Sequence, residues 1–215
     1  MARVGQILFL CVCVGGCVPD SQGRVRDFNE DGVYLFHQGE YSSARESFQS
    51  ALELKPADPV ILYNLAQCYD RVDDGANAER YYNACLQQSP NHAECRHALA
   101  SLLVRESRRD DAARMIQAWL VSQPKLAAAY AEDGWLLHET GDLPRAQARL
   151  NQALELDPHD TRALTELARV YEAMQRPDRA VALYERILLR HPEQAEIEKR
   201  LKLLRSQGVG QPHPD

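Results

Sequence analysis

The amino-acid sequence predicts an all-α protein made of repeated helical hairpins. A pattern of 34 residues can be laid over residues 25–194 five times without a gap. Within each copy, apolar residues follow helical spacing in two segments that a short polar break separates. Each copy also ends on a proline, which stops a helix. A fixed period of this length is typical of a solenoid, in which each unit buries its apolar face against the next.

The fourth copy shows the local pattern clearly. Two helical segments are predicted, over residues 127–140 and 144–157, and the break between them contains Gly141 and Asp142. Asp142 is placed to cap the second helix. Pro144 suits the first turn of that helix, where its missing N–H is not needed. The segment is therefore a helix–turn–helix hairpin.

The same residue types return when the pattern is moved along the chain by 34 residues. One small residue recurs in each helix of every copy, as closely crossing helices require, and the terminating proline recurs with it. The first-helix series is Gly32, Ala66, Ala100, Gly134 and Ala168; the second-helix series is Ala44, Ala78, Ala112, Ala146 and Ala180; the prolines are Pro56, Pro90, Pro124, Pro158 and Pro192.

This period and these residue types resemble the tetratricopeptide repeat (TPR) family over 170 of the 215 residues. The resemblance implies a right-handed α-solenoid with repeats at 25–58, 59–92, 93–126, 127–160 and 161–194. It also implies a concave groove, lined by the first helix of each repeat, that binds a protein or peptide partner. The resemblance is specific for the fold and says little about the ligand.

Two repeats and the C-terminus depart from the regular pattern. Asp31 stands at a core position of the first repeat, whose outer side meets solvent. In the third repeat, Arg96 replaces an aromatic residue and Trp119 replaces a small one, so we expect Trp119 to widen or twist that junction. Residues 195–206 carry an apolar stripe that predicts a capping helix, and residues 207–215 are predicted to be a disordered tail.

The N-terminus differs in kind from the repeats. A basic start, an apolar run over residues 7–14 and small residues after it predict an export signal over residues 1–16. The apolar run is too short to cross a bilayer as a helix. The sequence Val14-Gly15-Gly16-Cys17 resembles the bacterial lipobox, which implies that Cys17 is acylated and becomes the mature N-terminus.

Residues 17–24 are then predicted to form a short, flexible, lipidated tether. Because Val18, and not Asp, follows Cys17, the lipoprotein resemblance implies the outer membrane, with the protein facing the periplasm. Several acyl chains would anchor the protein stably. Ordinary cleavage of the signal and a misassigned start codon are the alternatives to lipidation.

Six cysteines are present, but removal of the signal and acylation of Cys17 leave Cys68, Cys85 and Cys95. In the TPR fold, Cys85 and Cys95 belong to helices that pack against each other. A disulfide between Cys85 and Cys95 is one interpretation. Small buried thiols in the core between repeats are the alternative, which we favour.

The TPR resemblance implies which side chains face the groove. They are polar residues with aromatic islands, a combination that suits an extended peptide or a partner helix. The predicted partner-binding residues are Tyr63, Asn64, Gln67, Arg71, His97, Ser101, Arg105, Trp135, His138, Arg162 and Arg169, and Glu132, Thr165 and Glu166 face the groove beside them. Trp135 is the strongest candidate, since an indole on a solvent face is unfavourable unless a partner or a neighbouring side chain covers it.

Charge and residue patterns argue against several other functions. A net charge of −6 without a basic face argues against nucleic-acid binding. The TPR clamp for chaperone C-termini is also excluded, because only Asn64 matches it and Glu94 stands where a cation is needed.

Metal binding and catalysis are not expected either. His92, Cys95 and His97 resemble a soft-metal site in composition, but Cys95 and His97 project about 200° apart on one helix. His138 has no nucleophile and orienting group in register with it, so no enzyme activity, cofactor or small-molecule substrate is expected.

The sequence therefore predicts a lipid-anchored scaffold or adaptor that binds protein partners in the bacterial envelope. In architecture it resembles most closely the TPR lipoproteins that help to assemble type IV pilus secretins. Adaptors of peptidoglycan hydrolases and components of outer-membrane barrel assembly are similar in outline, and the repeat pattern does not choose among these. One alternative is a soluble accessory subunit that presents substrate to an envelope enzyme, such as one of cytochrome maturation or glycan transfer. Another is a homodimer that uses the concave face as its interface.

Overall fold

The computed structural model describes residues 21–209. Within this range the chain forms eleven α-helices and no β-strand, so the predicted all-α fold class is confirmed. The helices are α1 (Ser21–His37), α2 (Tyr41–Leu54), α3 (Pro59–Arg71), α4 (Gly75–Gln88), α5 (Ala93–Arg105), α6 (Arg109–Ser122), α7 (Ala127–Glu139), α8 (Leu143–Leu156), α9 (Thr161–Ala173), α10 (Pro177–Arg190) and α11 (Ala195–Ser206).

Successive helices pair as hairpins, α1 with α2 through α9 with α10, and each hairpin packs on the next. From α1 to α9, each odd-numbered helix also contacts the next odd-numbered helix. Even-numbered helices of the described chain do not contact each other in this way. The helices on one side of the stack are therefore closer together than those on the other side, and such a stack must curve. The odd-numbered helices therefore line the concave face.

Aspartates and prolines start many of the helices. The carboxylate of Asp142 accepts a hydrogen bond from the backbone N–H of Arg145 and so caps α8, as predicted. Asp58, Asp74 and Asp160 cap α3, α4 and α9 in the same way. These caps satisfy backbone donors that a helix start leaves without a partner inside the helix.

Small residues let the two helices of a hairpin approach closely. The alanine series of the even-numbered helices is completely buried. A Cβ atom added to Gly134 would lie 2.5 Å from Cγ of Leu150 and 3.3 Å from the carbonyl oxygen of Ala146. The α7–α8 hairpin can therefore reach its separation only with glycine at this place.

The third repeat is built differently around Trp119. Its indole is buried, its Nε1 donates a hydrogen bond to Oδ1 of Asn91 over 3.0 Å, and the guanidinium carbon of Arg96 lies 4.5 Å from the ring centre. The aromatic bulk thus comes from α6 instead of α5, and Arg96 stacks on it. Of the five hairpins, α5–α6 is the least extensively packed.

Both ends of the described region bear on the predicted boundaries. Helix α1 begins at Ser21, so residues 21–24 extend the first helix and do not belong to a flexible tether; the prediction for these four residues is wrong. Asp31 is exposed, as the solvent-facing first repeat allows.

Helix α11 buries Ile197 and Leu201 against the last hairpin, where a cap is needed. The predicted signal, Cys17 and residues 210–215 of the predicted tail lie outside the described residues.

No helix between residues 21 and 209 combines the length and the hydrophobicity that crossing a membrane requires.

Each hairpin turn contains one residue in the left-handed region, again at a spacing of 34 residues. Two of them are glycines, Gly39 (φ +81°) and Gly141 (φ +82°). The equivalent residues of the other repeats are Asp73 (φ +58°), Ser107 (φ +63°) and Gln175 (φ +59°). A side chain in this conformation costs about 1–2 kcal/mol relative to glycine. In the three turns without glycine, the packing of the two joined helices must therefore compensate for this unfavourable conformation.

We expect Gln175→Gly to raise the free energy of unfolding by a few tenths to about 1 kcal/mol, because relief of the strain exceeds the added entropy of the unfolded chain. Gly141→Ala is the matched control and is expected to lower the free energy of unfolding by a similar amount. Urea unfolding followed by circular dichroism measures both. Changes of the same sign in the two variants would contradict the strain argument.

Candidate functional site

The concave face carries a series of polar contacts, each joining one odd-numbered helix to the next. At the N-terminal end, Nδ2 of Asn64 on α3 donates a hydrogen bond to Oδ1 of Asn29 on α1 over 3.1 Å. Next along the face, Arg105 on α5 forms an ion pair with Asp70 on α3. Asn64 and Arg105, both predicted to bind a partner, thus also bridge neighbouring helices.

Glu132 on α7 is the centre of this series. Its side chain is fully buried, with 0% of the residue exposed. One carboxylate oxygen lies 3.0 Å from Nδ1 of His97 on α5, and the other forms an ion pair with Arg162 on α9. A buried carboxylate is costly unless cations or hydrogen-bond donors face it, and here two helices supply them. Glu132 therefore connects three helices of the concave face.

Glu166 on α9 has a similar environment one repeat further on. It is buried, and its two carboxylate oxygens lie 2.8 Å from Nη1 of Arg169 and 3.8 Å from Nδ1 of His138. At the C-terminal end, Glu172 forms an ion pair with Arg200 on the capping helix and accepts a hydrogen bond from the hydroxyl of Tyr184. The charged side chains predicted to line the groove are thus mostly paired with each other.

Trp135 does not stand free on the concave face, and of the two predicted covers, a partner or a neighbouring side chain, the structure shows the neighbouring side chain. Only 7% of the residue is exposed. The imidazole of His97 packs edge-on against the indole, with ring centres 4.6 Å apart. Because α5 and α7 are in direct contact, a side chain of α5 covers the place where a partner was expected.

A cleft of about 460 Å³ lies between α3 and α5 on this face. Its walls include Gln67, Arg71, Asp73 and Arg105. Arg71 is exposed, and its guanidinium carbon lies 5.6 Å from the ring centre of Phe36. The cleft thus offers cationic, anionic and amide groups together.

Two further predicted residues lie close to this cleft. Tyr63 is half-buried, with its ring centre 5.1 Å from that of His92. Burial raises the pKa of Tyr63, and a hydrogen bond with Gln67 acts against that rise. Ser101 on α5 is also half-buried. At this end of the concave face, Tyr63, Gln67, Arg71 and Ser101 are therefore predicted groove residues that a partner can reach and that form no ion pair with a neighbouring helix.

A second cleft, of about 350 Å³, lies at the C-terminal end of the concave face. His138, Thr165, Arg169, Glu172 and Arg200 are among its lining residues. The hydroxyl of Thr165 donates a hydrogen bond to the carbonyl of Thr161 in the preceding turn. The two clefts lie on either side of the Glu132 contacts.

Sequence reasoning placed Glu132 and Glu166 on the groove but missed three other acidic residues that hold helices together. Asp70 and Glu172 were not singled out, and Asp133, which is buried, was not either. Asp133 accepts a hydrogen bond from Gln117 on α6 and forms an ion pair with Arg149 on α8. Burial raises the pKa of Asp133, and the cation of Arg149 opposes that effect. One feature of the sequence could have indicated such contacts. Several of them join residues that are 35 apart, one more than the repeat length, so polar residues at that spacing are candidates for contacts between repeats.

His92, Cys95 and His97, which resemble a soft-metal site in composition, make other contacts in the structure. Nδ1 of His92 accepts a hydrogen bond from the backbone N–H of Cys95 and caps α5. His97 faces Glu132. Between residues 21 and 209, no group of three or more His, Cys, Asp or Glu side chains is arranged to hold a metal ion. Cys68, Cys85 and Cys95 are free, buried thiols.

Family comparisons agree with this architecture. Models described as "Tetratricopeptide repeat" match residues 60–92, 97–161 and 137–202, and one described as "TPR repeat" matches residues 34–71. Together these matches cover most of the described solenoid.

Curated relatives share the repeat region. Protein O-mannosyl-transferase TMTC1 of Homo sapiens is 26% identical over 177 residues, which are 80% of this chain and 20% of that protein. Cellulose synthase operon protein C of Pseudomonas fluorescens is 28% identical over 177 residues, which are 79% of this chain and 14% of that protein. The chain thus spans a fifth or less of the length of these relatives.

Among solved structures, a thermophilic TPR protein of Thermus thermophilus, TTC0263, superposes with a TM-score of 0.67 at 24% sequence identity. The superposition covers 84% of this chain and 98% of the other. The shared repeats and the shared fold show that the chain belongs to the tetratricopeptide repeat family.

Proposed function

We propose that this chain is a lipid-anchored adaptor of the bacterial envelope that binds a protein or peptide partner on its concave face. TPR proteins act as scaffolds for protein or peptide partners, and the family membership supports the same role here. The observation that carries the proposal is the concave face itself. Its buried contacts fix the helices, while Tyr63, Gln67, Arg71 and Ser101 keep polar groups available to a ligand.

A fixed surface favours binding because little side-chain freedom is lost when the partner arrives. The paired charges leave the face nearly neutral, so recognition depends on hydrogen bonds and on the few aromatic and cationic groups that are free to act. Binding, and not catalysis, is the role that this arrangement supports. Both histidines of the face lie against carboxylates that are themselves buried.

The membrane anchor is proposed from Cys17 and the residues before it. With α1 starting at Ser21, the backbone between Cys17 and Ser21 can reach no more than about 14 Å. An acylated Cys17 would therefore hold the first repeat close to the lipid surface. In that position the adaptor would meet partners at the outer membrane, where we propose that it assists assembly of a pilus secretin or a similar complex.

A second candidate function follows from the relatives. One is a protein O-mannosyl-transferase and another a cellulose synthase operon protein, and both names refer to sugar transfer. This favours the alternative in which the chain is a soluble accessory subunit that presents a substrate to an envelope enzyme of glycan transfer. Acylation and the identity of the partner distinguish the two candidates.

For the anchor, we expect Cys17→Ala to abolish incorporation of a palmitate analogue and to move the protein from the membrane fraction to the soluble fraction. The reason is that the thioether at Cys17 is the proposed attachment point. Cys13→Ala, four residues earlier in the apolar run, is the control and should keep the label. A native chain that takes up no label would contradict the anchor and favour the soluble accessory subunit.

For the partner, we expect a photo-crosslinking amino acid at Arg71 to give one discrete adduct in living cells, which mass spectrometry identifies. Arg71 is the probe position because it is exposed at the cleft between α3 and α5. Gln87, exposed on α4 and away from the concave face, is the control position.

An adduct from residue 71 alone would support the concave face as the binding surface. A secretin component in that adduct would favour the adaptor, whereas a glycan-transfer enzyme would favour the accessory subunit. Adducts between two copies of this chain would support the homodimer. Equal adducts from residues 71 and 87 would contradict binding on the concave face.

A further inference from the structure

Two buried thiols face each other where the second repeat meets the third. Cys85 lies in the last turn of α4 and Cys95 in the first turn of α5. Both residues are 0% exposed. The sulfur of Cys95 lies 3.3 Å from the carbonyl oxygen of Tyr82, which is one helical turn before Cys85. Cys95 therefore points at the turn of α4 that carries Cys85.

The two sulfurs also interact directly, and they do so unequally. A hydrogen bond between the thiols lowers the pKa of Cys85, while the same contact, together with burial, raises the pKa of Cys95. These shifts belong to the closed junction, and they place the two thiols next to each other there, as an intramolecular disulfide requires.

We propose that Cys85 and Cys95 are a disulfide-forming pair that links α4 to α5 when the chain folds in the presence of a small-molecule disulfide. The thiolate of one of the two cysteines attacks one sulfur of the oxidant, forms a mixed disulfide and releases one thiolate. The other cysteine, after loss of its proton, attacks the protein sulfur of that mixed disulfide and releases the second thiolate. The protein loses two electrons and two protons, and the oxidant becomes two thiols.

The burial of both sulfurs determines when the oxidant can react with them. Neither sulfur is accessible in the folded chain, so the oxidant reaches them before the junction closes. The contacts of the folded junction then select this pair, because only nine residues lie between the two cysteines in sequence and the fold holds them together. The structure shows the reduced form of the pair.

Cys68 is the natural internal control. It is buried in a separate apolar cluster, formed by α2 and α3 with α1 against them, whereas Cys85 and Cys95 share the cluster of the second and third repeats. Burial raises the pKa of Cys68 to about 12, so its thiolate is scarce at neutral pH. Because its cluster contains neither Cys85 nor Cys95, folding brings no partner thiol to Cys68, and we expect it to remain a thiol under the conditions that oxidise the pair.

The position of the bond gives it a structural consequence. The junction between α4 and α5 precedes α5–α6, the least extensively packed hairpin of the five. A covalent link here would fix the helix that provides His97 and Ser101 to the concave face. Because a disulfide reduces the freedom of the unfolded chain, the oxidised protein should also melt at a temperature several degrees higher.

The test is refolding of the denatured full-length chain in a mixture of oxidised and reduced glutathione, followed by iodoacetamide and trypsin without reduction. Residues 81–96 form one tryptic segment that contains both cysteines, and Cys68 lies in another. We expect the segment 81–96 to be unalkylated and lighter by two hydrogens than the reduced form, with Cys68 alkylated. Cys95→Ala should leave Cys85 alkylated, and Cys68→Ala should change nothing.

Alkylation of both Cys85 and Cys95 in the refolded native chain would overturn the proposal. A bond from either residue to Cys68, to Cys11, Cys13 or Cys17, or to another chain would also overturn it, and each appears as two joined tryptic segments. An oxidised protein that melts no higher than the reduced protein would contradict the stabilising role and leave the pairing itself established by the mass.

Discussion

A carboxylate without access to water must be faced by cations or hydrogen-bond donors, and the concave face depends on how Glu132 meets that requirement. His97 comes from α5 and Arg162 from α9, so a single side chain of α7 fixes the relative positions of three helices from three repeats. Apolar packing alone does not determine the register of neighbouring hairpins so closely, because methyl groups pack without direction. The buried charge adds that direction.

This constraint has a consequence for recognition. The strongest charges of the groove are already used to hold the helices, which leaves Arg71 and the amide and hydroxyl groups near α3 and α5 for a ligand. Such a face favours a partner that fits its shape and hydrogen bonds over one that is attracted by net charge alone. An adaptor that must choose one component among many in an envelope would benefit from this property.

Much of the fold could be predicted from the sequence because it depends on residues within one repeat. The cap at Asp142, the buried alanine series and the apolar stripe of α11 all follow from local rules. Contacts between repeats are harder to predict, since they depend on side-chain geometry across about one full period. Trp135 illustrates this: its position on α7 was predicted, but its cover comes from His97 on another helix. The non-glycine turn at Gln175 was missed for a related reason, because the packed helices, and not the residue, impose its conformation.

The most direct test of the account is a double-mutant cycle on Glu132→Gln and Arg162→Gln, with the free energy of unfolding measured in urea for both single variants, the double variant and the native chain. We expect a coupling energy of roughly 1–3 kcal/mol between the buried carboxylate of Glu132 and the half-buried guanidinium of Arg162. The exposed pair Glu198 and Lys202, with their nitrogen and oxygen atoms 2.6 Å apart, is the control and should couple by less than about 0.5 kcal/mol. A coupling energy for Glu132 and Arg162 no larger than that of the control would contradict the claim that this buried charge holds the concave face together.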